Sequence, residues 1–270
     1  LVEEEMNLSL PRPFIIHYHI FKNAGSTLDA MLERNFGELW GNFEKKLPAD
    51  RIDAIELAKY IQANPKLIAV SSHHAIMPPP EVSGVEVIPV LFFRHPLDRI
   101  RSVYEFERRQ GLQAGLVSKG AEHAARLSFA DYLRWRLDTT ANGVVHNHQT
   151  VWMIHHPRYN RHPIKDAEFE QACARLRGLP FFGLVEQFDE SIALLRDLLG
   201  EREISFSTEY VARNQSPNNA SSLEARLVKM QTELGEAMWQ ELIARNQRDM
   251  GLYDLAMQEF NARLVAVHTQ

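Results

Sequence analysis

Lys22-Asn23-Ala24-Gly25-Ser26-Thr27 stands where an apolar, β-rich run at 14–20 gives way to helical spacing at Leu28, Met31 and Leu32. Strand, small-residue turn and helix is an arrangement that offers backbone N–H groups to an anion. The first four amides of a helix have no internal partner, and its dipole favours negative charge there. Lys22 adds a cation, and Ser26 and Thr27 add hydroxyl donors. The chemistry is that of a phosphate cradle, although a strand–turn–helix with an incidental Lys accounts for the stretch without a ligand. It is not the ordinary nucleotide P-loop, whose Lys follows the glycines; Lys22 precedes Gly25. Ala24 is the demanding position, because a residue that needs φ > 0 there is strained unless it is Gly.

Two further groups carry polar chemistry. Arg94 closes an apolar run at 85–93, and Ser102 follows it by about two helical turns. A guanidinium and a hydroxyl aimed at one phosphate form a charge-assisted clamp. The alternative pairs Arg94 with Asp98 or Glu105 and leaves Ser102 as a small helix-surface residue. His73 and His74 follow the run at 67–70. An imidazole near neutrality is suited to take a hydroxyl proton, and a packed or surface pair is the alternative. His146, His148, His155 and His156 could add metal ligands, but adjacent His-His chelates poorly and no zinc spacing appears. No metal is expected.

The elements that must position these groups follow from periodicity. Strands are predicted at 14–20, 67–70, 85–93 (interrupted at Pro89) and 180–185. Helices are predicted at 48–62 with Asp50 as cap, from Pro96 onward, and at 128–137, 149–154, 166–176 and 189–199. Ser222 should cap a helix through Leu234, with helix continuing to 265 and a break at Met250-Gly251. Residues 110–120 and 138–148 have loop composition. Strands alternating with helices imply a parallel α/β sheet, whose ligands bind beyond the carboxyl ends of strands. Lys22, His73 and Arg94 all fall at such ends.

The 270 residues suffice for one domain with a substantial core, carrying a helical insertion at about 110–178 and a helical C-terminal part at about 220–265. Hydrophobic residues make up 45% and charged residues 24%, a soluble, globular balance. No apolar run reaches membrane-span length and no signal peptide is visible. The acidic start, without an initiator Met, is compatible with a trimmed end and with an anchor lost upstream. Cys173 is the single cysteine, which excludes an internal disulfide and a cysteine-based zinc site and favours a reducing, cytoplasmic setting. A net charge of −5 gives no global signal for nucleic acid.

Residues 19–28, His-Ile-Phe-Lys-Asn-Ala-Gly-Ser-Thr-Leu, resemble the His-Ile-Pro-Lys-Thr-Gly-Gly-Thr-Ser-Leu loop of sulfotransferases that use 3′-phosphoadenosine 5′-phosphosulfate (PAPS). Phe21 replaces Pro, Asn23 replaces Thr and Ala24 the first Gly. Arg94-His95-Pro96 through Tyr104 is similar to that family's Arg-Asp-Pro-x-x-Arg-x-x-Ser-x-Tyr element. Arg94, Pro96, Arg99, Ser102 and Tyr104 match, and His95 replaces Asp. Ser72-His73 aligns with the Gly-His of the heparan-sulfate 2-O branch. Residues 181–191, Asn214-Gln215-Ser216 and 249–253 extend the likeness. Asn147-x-Gln149-Thr150 falls at a segment near the family's acceptor cleft, with a loop and helix cap as its alternative.

The resemblance implies a P-loop-like, three-layer α/β fold with a central, mostly parallel sheet flanked by helices. It implies a sulfotransferase that carries sulfuryl from PAPS, without a metal, to an acceptor hydroxyl, most naturally of a glycan. Asn23, Ala24, Gly25, Ser26 and Thr27 would hold the 5′-phosphate, and Arg94 with Ser102 the 3′-phosphate. Lys22 would neutralise the leaving oxygen, and His73, with His74 in reserve, would act as base. Specificity falls to 110–120 and 138–161. A kinase-like phosphotransferase is the alternative enzyme, but it needs a Mg²⁺ carboxylate after a strand, and no predicted strand ends in Asp. A non-catalytic module binding an anionic ligand through the same loops is the alternative of another class.

Overall fold

A computed structural model of the chain describes residues 10–47, 50–113, 115, 117–138, 143–154, 163–211 and 221–268. β1 (Arg12–Tyr18) leads into α1 (Gly25–Phe36), β2 (Trp40–Asn42), α2 (Ala54–Ala63), β3 (Ala69–Ser72), β4 (Val85–Val90) and β5 (Phe92–Phe93). α3 (Pro96–Gly111), α4 (Lys119–Arg126), α5 (Phe129–Leu137), α6 (His148–Ile154) and α7 (Asp166–Gly178) precede β6 (Gly183–Leu184) and α8 (Phe188–Gly200). α9 (Leu223–Leu234), α10 (Glu236–Arg245) and α11 (Gln247–His268) follow.

Four strands form a parallel sheet in the order β2-β3-β1-β4, and β5 pairs with β6, also in parallel. The pleat of β1 sorts the layers, since successive side chains face opposite ways. Phe14, Ile16 and Tyr18 enter a core with α2, α6, α7 and α11. Ile15 enters the opposite core with α1 and α8. The result is an α/β fold with a parallel central sheet covered by helices on both faces. A third core joins α3, α5, α9 and α10 beside it.

Several boundaries differ from expectation for identifiable reasons. The run at 85–93 divides at Leu91, whose carbonyl accepts the Gly183 amide as β5 leaves to pair with β6. Pro89 stays within β4 because β4 is an edge strand, paired only with β1. α2 is capped by Asp53, whose side chain accepts the Glu56 amide, and not by Asp50. Ile52 is instead bridged to Ala75, with its amide on the His74 carbonyl, which holds the chain extended until Asp53. The C-terminal break falls at Asn246, not at Met250-Gly251. Gly251 lies within α11, where a Cβ would meet the Phe169 ring at 3.1 Å. β2 and α4 were not anticipated, being too short or too polar for periodicity to expose. No helix among the described residues is long and apolar enough to cross a membrane.

Candidate active site

Three strand ends converge on one rim. β1 ends in the Lys22 turn, β3 in His73-His74 and β5 in Arg94, as the parallel topology requires. The turn is tight: Lys22 has φ 67° and Ala24 φ 60°, both left-handed. Ala24 is the N-cap residue of α1 and holds the conformation that Gly holds more easily. The Asn23 amide donates to the Ile20 carbonyl and the Thr27 amide to the Ala24 carbonyl, so those two are directed inward. The amides of Ala24, Gly25 and Ser26 make no backbone hydrogen bond among the described residues. The cradle is therefore narrower than the expected span of Asn23 to Thr27. The Asn23 side chain is structural, donating to the Phe92 carbonyl at 2.6 Å and to Gln149 Oε1 at 2.7 Å. Thr27 is buried and Ser26 partly exposed.

The Lys22 ammonium lies over the Phe106 ring, 4.4 Å from its centroid. Burial first, then the positive charges of Arg94 and Arg109, lower its pKa to about 8. A cation held among cations and apolar surface gains most from an arriving anion.

His73 and His74 share one carboxylate, which sequence spacing does not reveal. Glu44 Oε1 takes the His73 amide at 2.8 Å and His73 Nδ1 at 2.9 Å, and its Oε2 takes His74 Nδ1. Burial raises the Glu44 pKa, but the hydrogen bonds from His73 and His74 outweigh it and the net shift is downward. His73 is exposed and His74 mostly covered. Both line a cavity of about 320 Å³ with His19, Phe21, Lys45, Lys46, Arg51 and Trp152.

A second cavity, about 310 Å³, is lined by Arg94, Asp98, Val185, Glu186, Ser221, Ser222, Leu223 and Arg226. Arg94 donates Nε–H to Asp98 Oδ2 at 2.8 Å and reaches the Lys22 carbonyl at 3.2 Å. Arg226 donates Nε–H to Asp98 Oδ1 at 2.7 Å. Asp98 is buried, which raises its pKa, yet the two guanidiniums hold it below the usual carboxylate range. The Arg94–Asp98 pairing weighed from sequence is thus what forms. Ser102 is buried one turn further along α3 and is not among the residues lining this cavity. Arg99 is also buried, donating to the Val144 carbonyl at 2.5 Å.

Sequence reasoning missed Glu44, Arg226 and Asp29. Glu44 follows an unanticipated strand, and Arg226 reaches the rim from a remote helix. Asp29 did have a signal: His17 and His19, two apart, must share a face of β1, and Asp29 sits on the helix that follows. Among the described residues these three form a group with metal-ligand types at close spacing. His155, His156 and Asn214-Gln215-Ser216 lie outside the described residues, as does part of 138–161.

No family model matches the chain. An uncharacterized protein of Archaeoglobus fulgidus is 32% identical over 250 residues, covering 90% of this chain and 95% of that protein. The crystal structure of a sulfotransferase from Alicyclobacillus acidocaldarius aligns at 14% identity and a TM-score of 0.38, over 90% of this chain and 97% of that one.

Proposed function

The chain belongs to one family with the uncharacterized Archaeoglobus fulgidus protein, and from its own site we propose that it is a PAPS-dependent sulfotransferase acting on an acceptor hydroxyl, most naturally of a glycan. One observation carries the reading. The anion turn is bordered by two cavities of different chemistry: His19 and Phe21 line the histidine cavity, while the Lys22 carbonyl binds Arg94, which lines the arginine cavity. Such a turn suits the 5′-phosphosulfate, with the 3′-phosphate on the arginine side and the acceptor on the histidine side.

The donor set fits a doubly phosphorylated nucleotide. The Ala24, Gly25 and Ser26 amides, with the Ser26 and Thr27 hydroxyls, take the 5′-phosphate. Arg94 and Arg226 take the 3′-phosphate once Asp98 shares them. His73, its Nδ1 held by Glu44, takes the acceptor proton. The acceptor oxygen forms its bond to sulfur as the bond to the bridging oxygen breaks, and the electron pair leaves with 3′,5′-adenosine bisphosphate. Lys22 leaves the Phe106 face to neutralise that oxygen. Positioning and charge stabilisation carry the catalysis.

The test is transfer from labelled PAPS to a panel of glycans, phenols and lipids, with His73→Ala and His74→Ala beside the wild type. Loss of a base costs about 10²–10⁴ in rate. Activity lost only in His74→Ala moves the base by one residue. Tight nucleotide binding without transfer to any acceptor makes the protein an anion-binding module.

A further inference from the structure

His19 and Asp29 stand directly behind this site, and the chemistry above does not use them. The pleat turns Ile15, His17 and His19 toward α1, and Asp29 lies one turn into that helix. Its two oxygens each take one imidazole: Oδ1 meets His17 Nδ1 at 2.7 Å and Oδ2 meets His19 Nδ1 at 2.8 Å. An ionised carboxylate only accepts, so both rings carry a proton on Nδ1. Burial alone would raise Asp29, but its two imidazole partners hold it well below the usual carboxylate range. Burial is the largest influence on His19 and lowers it to about 4 despite the hydrogen bond to Asp29, so its ring is neutral near pH 7.

That neutral ring is wedged on several sides. A Cβ on Gly25 would come within 2.1 Å of His19 Cδ2, so the turn itself packs against the imidazole. The face of His19 stacks on His73, with centroids 3.8 Å apart and planes 29° from parallel. Once His73 has taken a proton it is an imidazolium. Its own turn supplies His74, which competes with it for Glu44. Lys45 and Lys46 after β2 and Arg51 before α2 line the same cavity and oppose the new charge. Glu44 and, beyond His19, Asp29 are the carboxylates that favour it.

We propose that Asp29 and His19 are a positioning pair for His73: Asp29 fixes the tautomer and plane of His19, and His19 fixes the ring of His73 and bears against the charge it acquires. The inference rests on His73 as the base of the transfer proposed above. The acceptor proton goes to His73 Nε2 and remains there, while His19 stays neutral.

The test uses imidazole ¹⁵N–¹H spectra of the ligand-free full chain, which need no activity, together with single-turnover transfer from PAPS. Asp29→Asn and His19→Ala should displace the His73 ring resonances. They should slow transfer at least about tenfold, while in Asp29→Asn, which keeps the His19 ring against the turn, 3′,5′-adenosine bisphosphate affinity stays within about twofold. Asp29→Glu should restore part of the rate. Unmoved His73 resonances, or equal losses of transfer and nucleotide affinity, overturn the pairing. So does one Zn²⁺ bound per wild-type chain and lost in Asp29→Asn, which makes His17, His19 and Asp29 a metal centre. If wild type transfers nothing yet the His73 resonances still follow Asp29, the pair stands and the sulfotransferase reading fails.

Discussion

Asn147 and Asp249 cap each other's helices. Asn147 Oδ1 accepts the Arg248 and Asp249 amides at 3.0 Å each, at the start of α11. Asp249 returns the contact at the start of α6, accepting the Gln149 amide at 3.1 Å and the Thr150 amide and hydroxyl at 2.7 Å each. The segment that resembles an acceptor-cleft element is thus a helix cap. It still serves the site at one remove. Gln149 donates to the Arg94 carbonyl at 2.8 Å and accepts the Arg94 amide at 2.9 Å, fixing the backbone from which that guanidinium extends.

Asp249→Ala should therefore act on stability before function. It strands two buried amides and a hydroxyl, a loss of about 2–4 kcal/mol. Urea unfolding should show the midpoint falling with little change in slope. An unchanged midpoint would mean water satisfies these donors and the clamp is dispensable.

The nucleotide preference tests the arginine cavity. Arg94 from the end of β5 and Arg226 from α9 converge on Asp98, and a 3′-phosphate is the ligand group that would justify two guanidiniums there. Wild type should bind 3′,5′-adenosine bisphosphate about ten- to a hundredfold better than adenosine 5′-phosphate, a charge-assisted contact contributing about 1.5–3 kcal/mol. Arg94→Ala and Arg226→Ala should each erase most of that preference, and Ser102→Ala less. Calorimetry with equal affinities in wild type, or a preference for ATP with Mg²⁺, removes the assignment.

The frame of this site was legible because strands and caps are local. Phe14 to Tyr18 is apolar enough to be a buried strand in any context, and Ser128 and Ser222 cap the helices expected of them. The strand ends followed, and with them Lys22, His73 and Arg94. What was not legible depends on partners distant in the chain. Whether Asp98 would neutralise Arg94 depended on Arg226, 128 residues away. Glu44 gained its two histidines only because β2 adds to the sheet beside β3 and brings the following loop over the His73 turn. Asn147 could not be separated from a substrate residue without knowing where α11 begins.

Lys22 titrates in a range where activity and stability should part. Its free-protein pKa of about 8 predicts that kcat/KM for PAPS falls as pH rises through that value. Stability runs the other way. The unfolded chain holds this proton more tightly than the folded one between about 8 and 10.5, so the Lys22 contribution to stability rises with pH across that window. Lys22→Arg should remove the activity limb near 8, with little rescue of kcat, since a planar fork is a poor substitute for a compact ammonium. Lys22→Ala should lower single-turnover transfer strongly and product-nucleotide affinity only modestly. Equal free-energy losses in the two assays would reduce Lys22 to a ligand holder.

The turn offers two neighbouring substitutions with opposite expected signs. Ala24 holds φ 60° at the N-cap of α1, a left-handed conformation that costs an L-residue about 1–2 kcal/mol and Gly very little. Ala24→Gly should raise stability by about 0.5–1 kcal/mol, after the greater entropy of an unfolded Gly is deducted, and should leave nucleotide affinity intact because the amides stay in place. Gly25→Ala should do the reverse. Its Cβ falls 2.1 Å from His19 Cδ2, and His19 cannot yield without breaking its bond to Asp29 or its stack on His73. Denaturant unfolding and calorimetry with 3′,5′-adenosine bisphosphate on both variants decide the matter. A destabilised Ala24→Gly would mean residue 24 is not left-handed in solution. A Gly25→Ala protein with wild-type stability and affinity would mean His19 does not bear on the turn.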